Sequence, residues 1–295
     1  MISRGLICCV VCSQKSEQVP LTPTLTPLKV LRYNDLTFGE QIGCLIMPTV
    51  WKTAIVVGAS SGIGEEITRQ LVAQGCTVAI VARRLQELER IAQSLNTGQS
   101  AKVLLFPHDV CVYDEVPALF QKITHELGGL DVIIYAAGVM PSVQPSEYAF
   151  AKDRQMIEVN LLGAVAWLNE AAQRFERTKA GTIVGISSVA GERGRYPQPV
   201  YCTSKAALNA YLEALRNRLG RYGVKVVTIK PGPVATPMTE GLGKLPLLIP
   251  VERAAREIIQ SAQRGKANVF IPGTWRWIFL IIRNIPSFVF QKLKF

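Results

Sequence analysis

Between Thr49 and Pro272 the chain alternates short apolar runs with longer segments whose apolar positions recur every three or four residues. The runs Thr53–Val57, Thr77–Ala82, Lys102–Phe106, Asp131–Tyr135, Thr182–Ser187, Val224–Ile229 and Asn268–Ile271 are rich in Val and Ile and predict buried strands. The stretches between them, Ile63–Gln74, Arg84–Leu95, Asp114–Leu127, Tyr148–Arg177, Val200–Tyr222 and Val251–Arg264, predict helices. In the second of these, Leu85, Leu88, Ile91, Ala92 and Leu95 share one face, with Glu87, Glu89 and Arg90 between them. Strands that are apolar at successive positions belong to a sheet covered on both faces, hence to parallel strands joined by crossover helices. The expectation is an α/β fold: a doubly wound, seven-stranded parallel sheet flanked by helices, one domain over residues 47–272. In such sheets ligands bind beyond the carboxyl ends of the strands.

The two ends break this alternation. Pro20, Pro23 and Pro27 recur through a segment that can be neither helix nor central strand. The apolar run Gly5–Cys12 after Arg4 leaves a secretory signal as an alternative, though the run is brief and no small-residue cleavage site follows it. Residues 1–46 therefore read as a disordered leader, or as an extension upstream of a start at Met47. Residues 273–295 place Trp275, Trp277, Phe279, Phe288 and Phe290 among Arg276, Arg283 and Lys292. Arg283 and Pro286 interrupt the apolar run well short of the ~20 residues of a spanning helix. This tail is amphipathic, suited to lie in a headgroup layer or to pack on the domain or a neighbouring subunit.

Charge and thiol content narrow the chemistry. Lys and Arg number 33 against 22 acidic residues, a net charge of +11 over 295 residues, which suits an anionic cofactor, a membrane surface or nucleic acid. Outside the tail the basic residues are not interleaved with aromatics, so nucleic acid is not expected as a partner. Seven cysteines without C-x-x-C spacing beyond the leader, and two histidines (His108, His125), indicate neither a disulfide framework nor a metal site. A reducing, cytoplasmic setting follows, with peripheral membrane contact through 273–295 as an addition.

Chemistry enters at two strand ends. After the first strand comes Gly58-Ala59-Ser60-Ser61-Gly62-Ile63-Gly64, then a helix. Glycines there permit a tight turn and close approach of backbone to a pyrophosphate, which the helix N-terminus attracts. After the second strand stand Arg83 and Arg84, with no acid to bind a ribose 2′-hydroxyl. Guanidiniums in that place favour a 2′-phosphate and thus NADP(H), Arg83 before Arg84 because it directly follows the strand. The fifth strand ends at Ser187-Ser188, and Tyr201 and Lys205 follow one helical turn apart. A cation beside a phenol stabilises the phenolate, so the spacing predicts a tyrosine of lowered pKa acting as general acid/base, with Ser188 hydrogen-bonding the same substrate oxygen. A serine hydrolase is excluded in favour of this reading, because Val189 stands where a nucleophile elbow needs glycine.

Taken with His108-Asp109-Val110, Ala136-Ala137-Gly138, Asn160 and Pro231-Gly232-Pro233-Val234-Ala235-Thr236, these motifs resemble the short-chain dehydrogenase/reductase family over about residues 50–272. The resemblance implies a Rossmann-type fold, with Tyr201 as acid/base, Ser188 as its partner and Lys205 binding the nicotinamide ribose. It also implies that Asn160 holds a water relaying protons to Lys205. Asp109 and Val110 would flank the adenine, Ala137 and Gly138 would line the cofactor, and Pro231, Gly232, Val234 and Thr236 would meet the nicotinamide. Two departures are visible: Val57 in place of the family's threonine, and Tyr135-Ala136 in place of its paired asparagines. The resemblance further implies a homo-oligomer built through the two long helices.

Two segments are expected to frame the substrate, Ala190–Pro199 and Thr236–Pro250. The second carries Met238, Leu242, Leu245, Leu247, Leu248 and Ile249, which suggests an apolar lid and a lipophilic ketone or alcohol. A 3-oxoacyl thioester reductase and a non-catalytic nucleotide-binding scaffold at a membrane are the competing readings.

Overall fold

The structure is a computed structural model that describes residues 50–97, 102–144 and 146–293. The leader assigned to residues 1–46 lies outside them. Seven strands form one parallel sheet: β1 (Thr53–Val57), β2 (Thr77–Ala82), β3 (Val103–Pro107), β4 (Val132–Tyr135), β5 (Thr182–Ile186), β6 (Lys225–Pro231) and β7 (Asn268–Ile271). Their order across the sheet is β3-β2-β1-β4-β5-β6-β7. The doubly wound sheet expected from the apolar runs is present.

Successive side chains of a strand point to opposite faces, and here both directions meet apolar layers. Ala54 and Val56 of β1 pack with Ile67 and Leu71 of α1 (Gly62–Ala73), Leu88 and Ile91 of α2 (Leu85–Leu95) and Ile258 of α7 (Val251–Gln263). Ile55 and Val57 face the other way, onto Phe120 of α3 (Val116–Glu126), Trp167 and Leu168 of α5 (Gly163–Thr178) and Leu208 and Leu212 of α6 (Pro199–Leu219). This two-sided burial is why the strands carry no polar alternation.

Three predicted helices change form. The stretch read as one helix from Tyr148 to Arg177 begins as α4 (Phe150–Ile157), widens into a π-helical turn over Glu158–Leu162 and continues as α5. The segment from Asp114 opens with a 3-10 turn, Tyr113–Glu115, and the last predicted turn before Tyr222 is a 3-10 turn, Gly220–Tyr222. Because β1 and β4 are neighbours while chain order runs outward from each, their carboxyl ends bound the crevice at which the sheet's winding reverses.

The amphipathic tail folds back on the domain. α8 (Trp275–Asn284) buries Trp275, Phe279 and Ile282 against Val189, while Trp277, Leu280 and Ile281 face outward, and the short α9 (Ser287–Phe290) follows. Among the described residues no helix is long and apolar enough to cross a membrane.

Candidate active site

At the end of β1 the chain turns at once. Gly58 has φ +87° and its amide donates to the Val81 carbonyl at 2.8 Å. A side chain on Gly58 would strike the backbone of Ala136 and Ala137, and one on Gly64 would strike the carbonyl of Gly58. Glycine is therefore required where the loop is pressed between the ends of β1 and β4 and the first turn of α1. Gly58, Ser60, Ser61, Gly62, Ile63 and Gly64 line one end of a cavity of about 930 Å³. Helix α1 begins in that wall and presents its free amides there.

Of the two arginines after β2, Arg84 reaches this loop. Its Nη2 donates to the hydroxyls of Ser60 and Ser61, each at 2.9 Å, and to the Ser60 carbonyl at 3.3 Å. Arg83 lies 3.7 Å from the Asp109 carboxylate instead. Both arginines line the cavity, as do Val110 and His108. The Asp109 side chain turns to Arg83 and accepts the Cys111 amide at 3.0 Å, and Asp109 is not part of the described cavity lining.

Ala137 and Gly138 follow β4 along the same wall. Behind them Tyr135 and Asn160 fix the chain. The Tyr135 hydroxyl, fully buried, donates to the Val159 carbonyl at 2.6 Å, within the π-helical turn. That turn carries Asn160 inward, where Oδ1 accepts the Val139 amide at 2.7 Å and Nδ2 donates to the Val139 carbonyl at 3.0 Å and to Ser204 Oγ at 3.1 Å. A methyl on Gly138 would sit 3.4 Å from Asn160 Oδ1 and 3.5 Å from Lys205 Nζ, so the amide and the ammonium converge on one point. The tyrosine in place of an asparagine thus supplies a brace, and the space for its hydroxyl exists because residue 163 is glycine.

β5 ends one residue earlier than expected, and Ser188 heads a 3-10 turn, Val189–Glu192, with its Oγ accepting the Ala190 amide at 3.1 Å. Tyr201 and Lys205 stand in the first turns of α6, both buried and both on the cavity. Ser188 Oγ donates to the Pro231 carbonyl at 3.5 Å, and Ser188 and Tyr201 line the same stretch of the cavity. Lys205 Nζ donates to the Ile186 carbonyl at 3.0 Å and lies 5.8 Å from the centre of the Tyr201 ring.

The electrostatics correct one expectation. Burial pushes the Tyr201 phenol above its ordinary value; the Ser188 hydroxyl and the Arg195 charge pull it down but do not overcome burial. Lys205 is itself pushed down, to about 8, by burial. Burial disfavours every charged form, so it favours the neutral phenol where helical spacing alone suggested an acidified one.

Pro231, Gly232, Val234 and Thr236 continue the wall beyond β6. Met238, Leu242 and Leu245 of the expected lid line the far end, as do Arg195 and Pro197; Leu247 and Leu248 are exposed away from it. Trp275 and Phe279 of α8 complete this end and were not anticipated, since nothing in an amphipathic tail says which surface it will cover. Among the described residues no three His, Cys, Asp or Glu side chains gather as a metal site would need.

A switch-point crevice lined by a glycine loop, opening onto a half-buried serine and a buried tyrosine and lysine, defines an oxidoreductase of the nucleotide-dependent α/β class. The chain belongs to the short-chain dehydrogenase family, whose model matches residues 52–245. It is 31% identical over 286 residues to the 11-beta-hydroxysteroid dehydrogenase-like 2 protein of Arabidopsis thaliana, covering 93% of this chain and 92% of that one. It is 37% identical over 190 residues to an uncharacterised oxidoreductase of Staphylococcus epidermidis, covering 64% and 81%. Among solved structures the fold is shared with ElxO with NADP bound, at a TM-score of 0.70 and 22% identity over 77% of this chain and 99% of that one.

Proposed function

We propose that the protein is an NADP(H)-dependent oxidoreductase that interconverts a carbonyl and an alcohol on a lipophilic substrate, with Tyr201 as the group that moves the proton. The observation that carries this reading is that Ser188, Tyr201 and Lys205 line a single cavity that runs on from the glycine loop. NADP(H), when bound, supplies or accepts the hydride.

The residues fit such a cofactor. The flattened loop from Gly58 to Gly64 leaves room only for groups that approach backbone, and Arg84 with Arg83 places positive charge where a 2′-phosphate would be recognised. Ala137, Gly138, Val110, Pro231, Gly232, Val234 and Thr236 supply the remaining walls. Asp109 acts on the adenine side through its hold on Arg83.

A neutral phenol is the form that donates a proton in the reductive half of the interconversion. In reduction the Tyr201 hydroxyl gives its proton to the substrate oxygen as charge develops there, and the Ser188 hydroxyl steadies that charge. Lys205, fixed on the Ile186 carbonyl, would pass on the replacement proton, delivered by a water that Asn160, fixed on Val139 beside Gly138, would hold. The apolar far end selects a lipophilic ketone or alcohol.

The exposed face of α8, with Trp277 at 65% and Ile281 at 69% exposure beside Arg276 and Arg283, would rest on a membrane surface. Assembly into a homo-oligomer would use the helices around α5 and α6. A 3-oxoacyl thioester is a second reading, favoured by Arg195 and Lys244 on the substrate end, where an anionic carrier group could pair with them. The test is a panel of ketones, alcohols and acetoacetyl thioesters assayed with NADPH and NADH. Turnover that prefers NADPH and fails in Tyr201→Phe is expected; turnover that survives the substitution removes the proposed role.

A further inference from the structure

The turn that begins at Ser188 also holds the C-terminal helix. Val189, next to Ser188, packs in one apolar cluster with Trp275, Phe279 and Ile282. Three residues on, the Glu192 carboxylate is 3% exposed and is shared by Lys230 Nζ at 2.7 Å and Arg283 Nη1 at 3.0 Å. Arg193 donates through Nη1 to the carbonyls of Ile282 and Ile285 (the latter at 2.7 Å), where α8 ends, and its guanidinium lies 3.9 Å over the Phe290 ring. Lys230 immediately precedes the Pro231 loop, and the indole of Trp275 lies so close to Gly232 that any side chain at 232 would strike it. Helix α8 is thus tied to the turn that carries Ser188 and to the end of β6, while its inner face lines the cavity through Trp275 and Phe279.

We propose that α8 is the fixed end wall of the substrate chamber, that Phe279 limits how long an apolar substrate the chamber accepts, and that Glu192 and Arg193 are positioning residues that hold this wall against the Ser188 turn. This deepens the reading of the site as a carbonyl/alcohol oxidoreductase and rests on it. The occupant is a carbonyl compound with an unbranched or flat apolar body, because the far end offers Met238, Leu242, Leu245, Trp275 and Phe279. The Glu192 carboxylate ties the end of β6 to α8 through Lys230 and Arg283, and its removal would leave the nearly buried Lys230 ammonium without its ion-pair partner. The wall is therefore set with the catalytic turn rather than hung from it.

The test uses the full-length chain loaded with NADPH and a homologous series of straight-chain 2-alkanones. Two quantities are read for each ketone: kcat/KM, and the rise in melting temperature that binding produces. Phe279→Ala is expected to move the preferred chain length upward and to raise kcat/KM for the longest ketones about tenfold, with NADPH affinity unchanged. Phe279→Trp is expected to move it downward. Glu192→Gln should flatten the discrimination between short and long ketones, and Glu192→Asp should restore it. A role confined to folding would lower the melting temperature and leave the length profile as it was. If ketones are reduced but both Phe279 variants keep the wild-type profile in turnover and binding, the inference is overturned and the oxidoreductase reading stands. If no ketone is reduced but the binding optimum still shifts with Phe279, the wall is supported and the reaction assigned to it fails. Binding without length dependence in the wild-type protein also overturns the inference.

Discussion

The two ends of the cavity are built on different rules. At the nucleotide end the wall is mostly backbone: Gly58 and Gly64 are pressed against neighbouring main chain, and the residues concerned lie within seven positions of one another. At the substrate end the wall is side chains brought from Ser188, from Leu242 and from Trp275 and Phe279 of α8, three places separated by tens of residues. A backbone wall dictates residue type and tolerates no enlargement. A side-chain wall can be reshaped one residue at a time, which is how one catalytic apparatus can serve many substrates.

Substitutions can break or sharpen this contrast. Tyr201→Phe removes the proton donor and should lower kcat by about a thousandfold while leaving NADPH binding intact, a split seen by comparing turnover with cofactor fluorescence titration. Gly58→Ala should cost about 3 kcal/mol of stability, measured by urea denaturation, and abolish cofactor binding, because it combines φ +87° with a clash against Ala137. Lys205 gives a pH signature. Its folded value of about 8 lies below the unfolded 10.5, so between these the unfolded chain binds the extra proton and stability rises with pH. The gain should reach about 3 kcal/mol by pH 10.5 and be missing in Lys205→Met, as urea midpoints at pH 7 and pH 10 would reveal. Arg84→Ala should weaken NADPH about thirtyfold and leave NADH nearly unchanged, and should do so more than Arg83→Ala, since Arg83 is shared with Asp109. Tyr135→Phe should cost about 1–2 kcal/mol, because the buried Val159 carbonyl loses its donor, and should lower kcat more than it raises KM by loosening Asn160.

The same contrast explains what could be read from the chain beforehand. The sheet was legible because each strand is apolar on both faces, and the glycine loop and the Tyr201–Lys205 pair because each is local in sequence. Which of Arg83 and Arg84 would reach Ser60 and Ser61 was not legible, since it depends on where a side chain lands across β1. The π-helical turn at Asn160 was hidden inside a continuous helical pattern, though Tyr135 in place of a small polar residue was a visible signal that something unusual braced it. The direction of the Tyr201 shift depends on burial, which spacing cannot report. The tail's amphipathic pattern was evident, but not that its inner face would become part of the site.

The Tyr135 hydroxyl fills the space that a methyl at residue 163 would claim, so the two positions are coupled across β4 and α5. Grafting the central helix of another dehydrogenase onto this scaffold would succeed only where the donor also keeps residue 163 bare, and a swap of either partner alone would leave a collision or a hole.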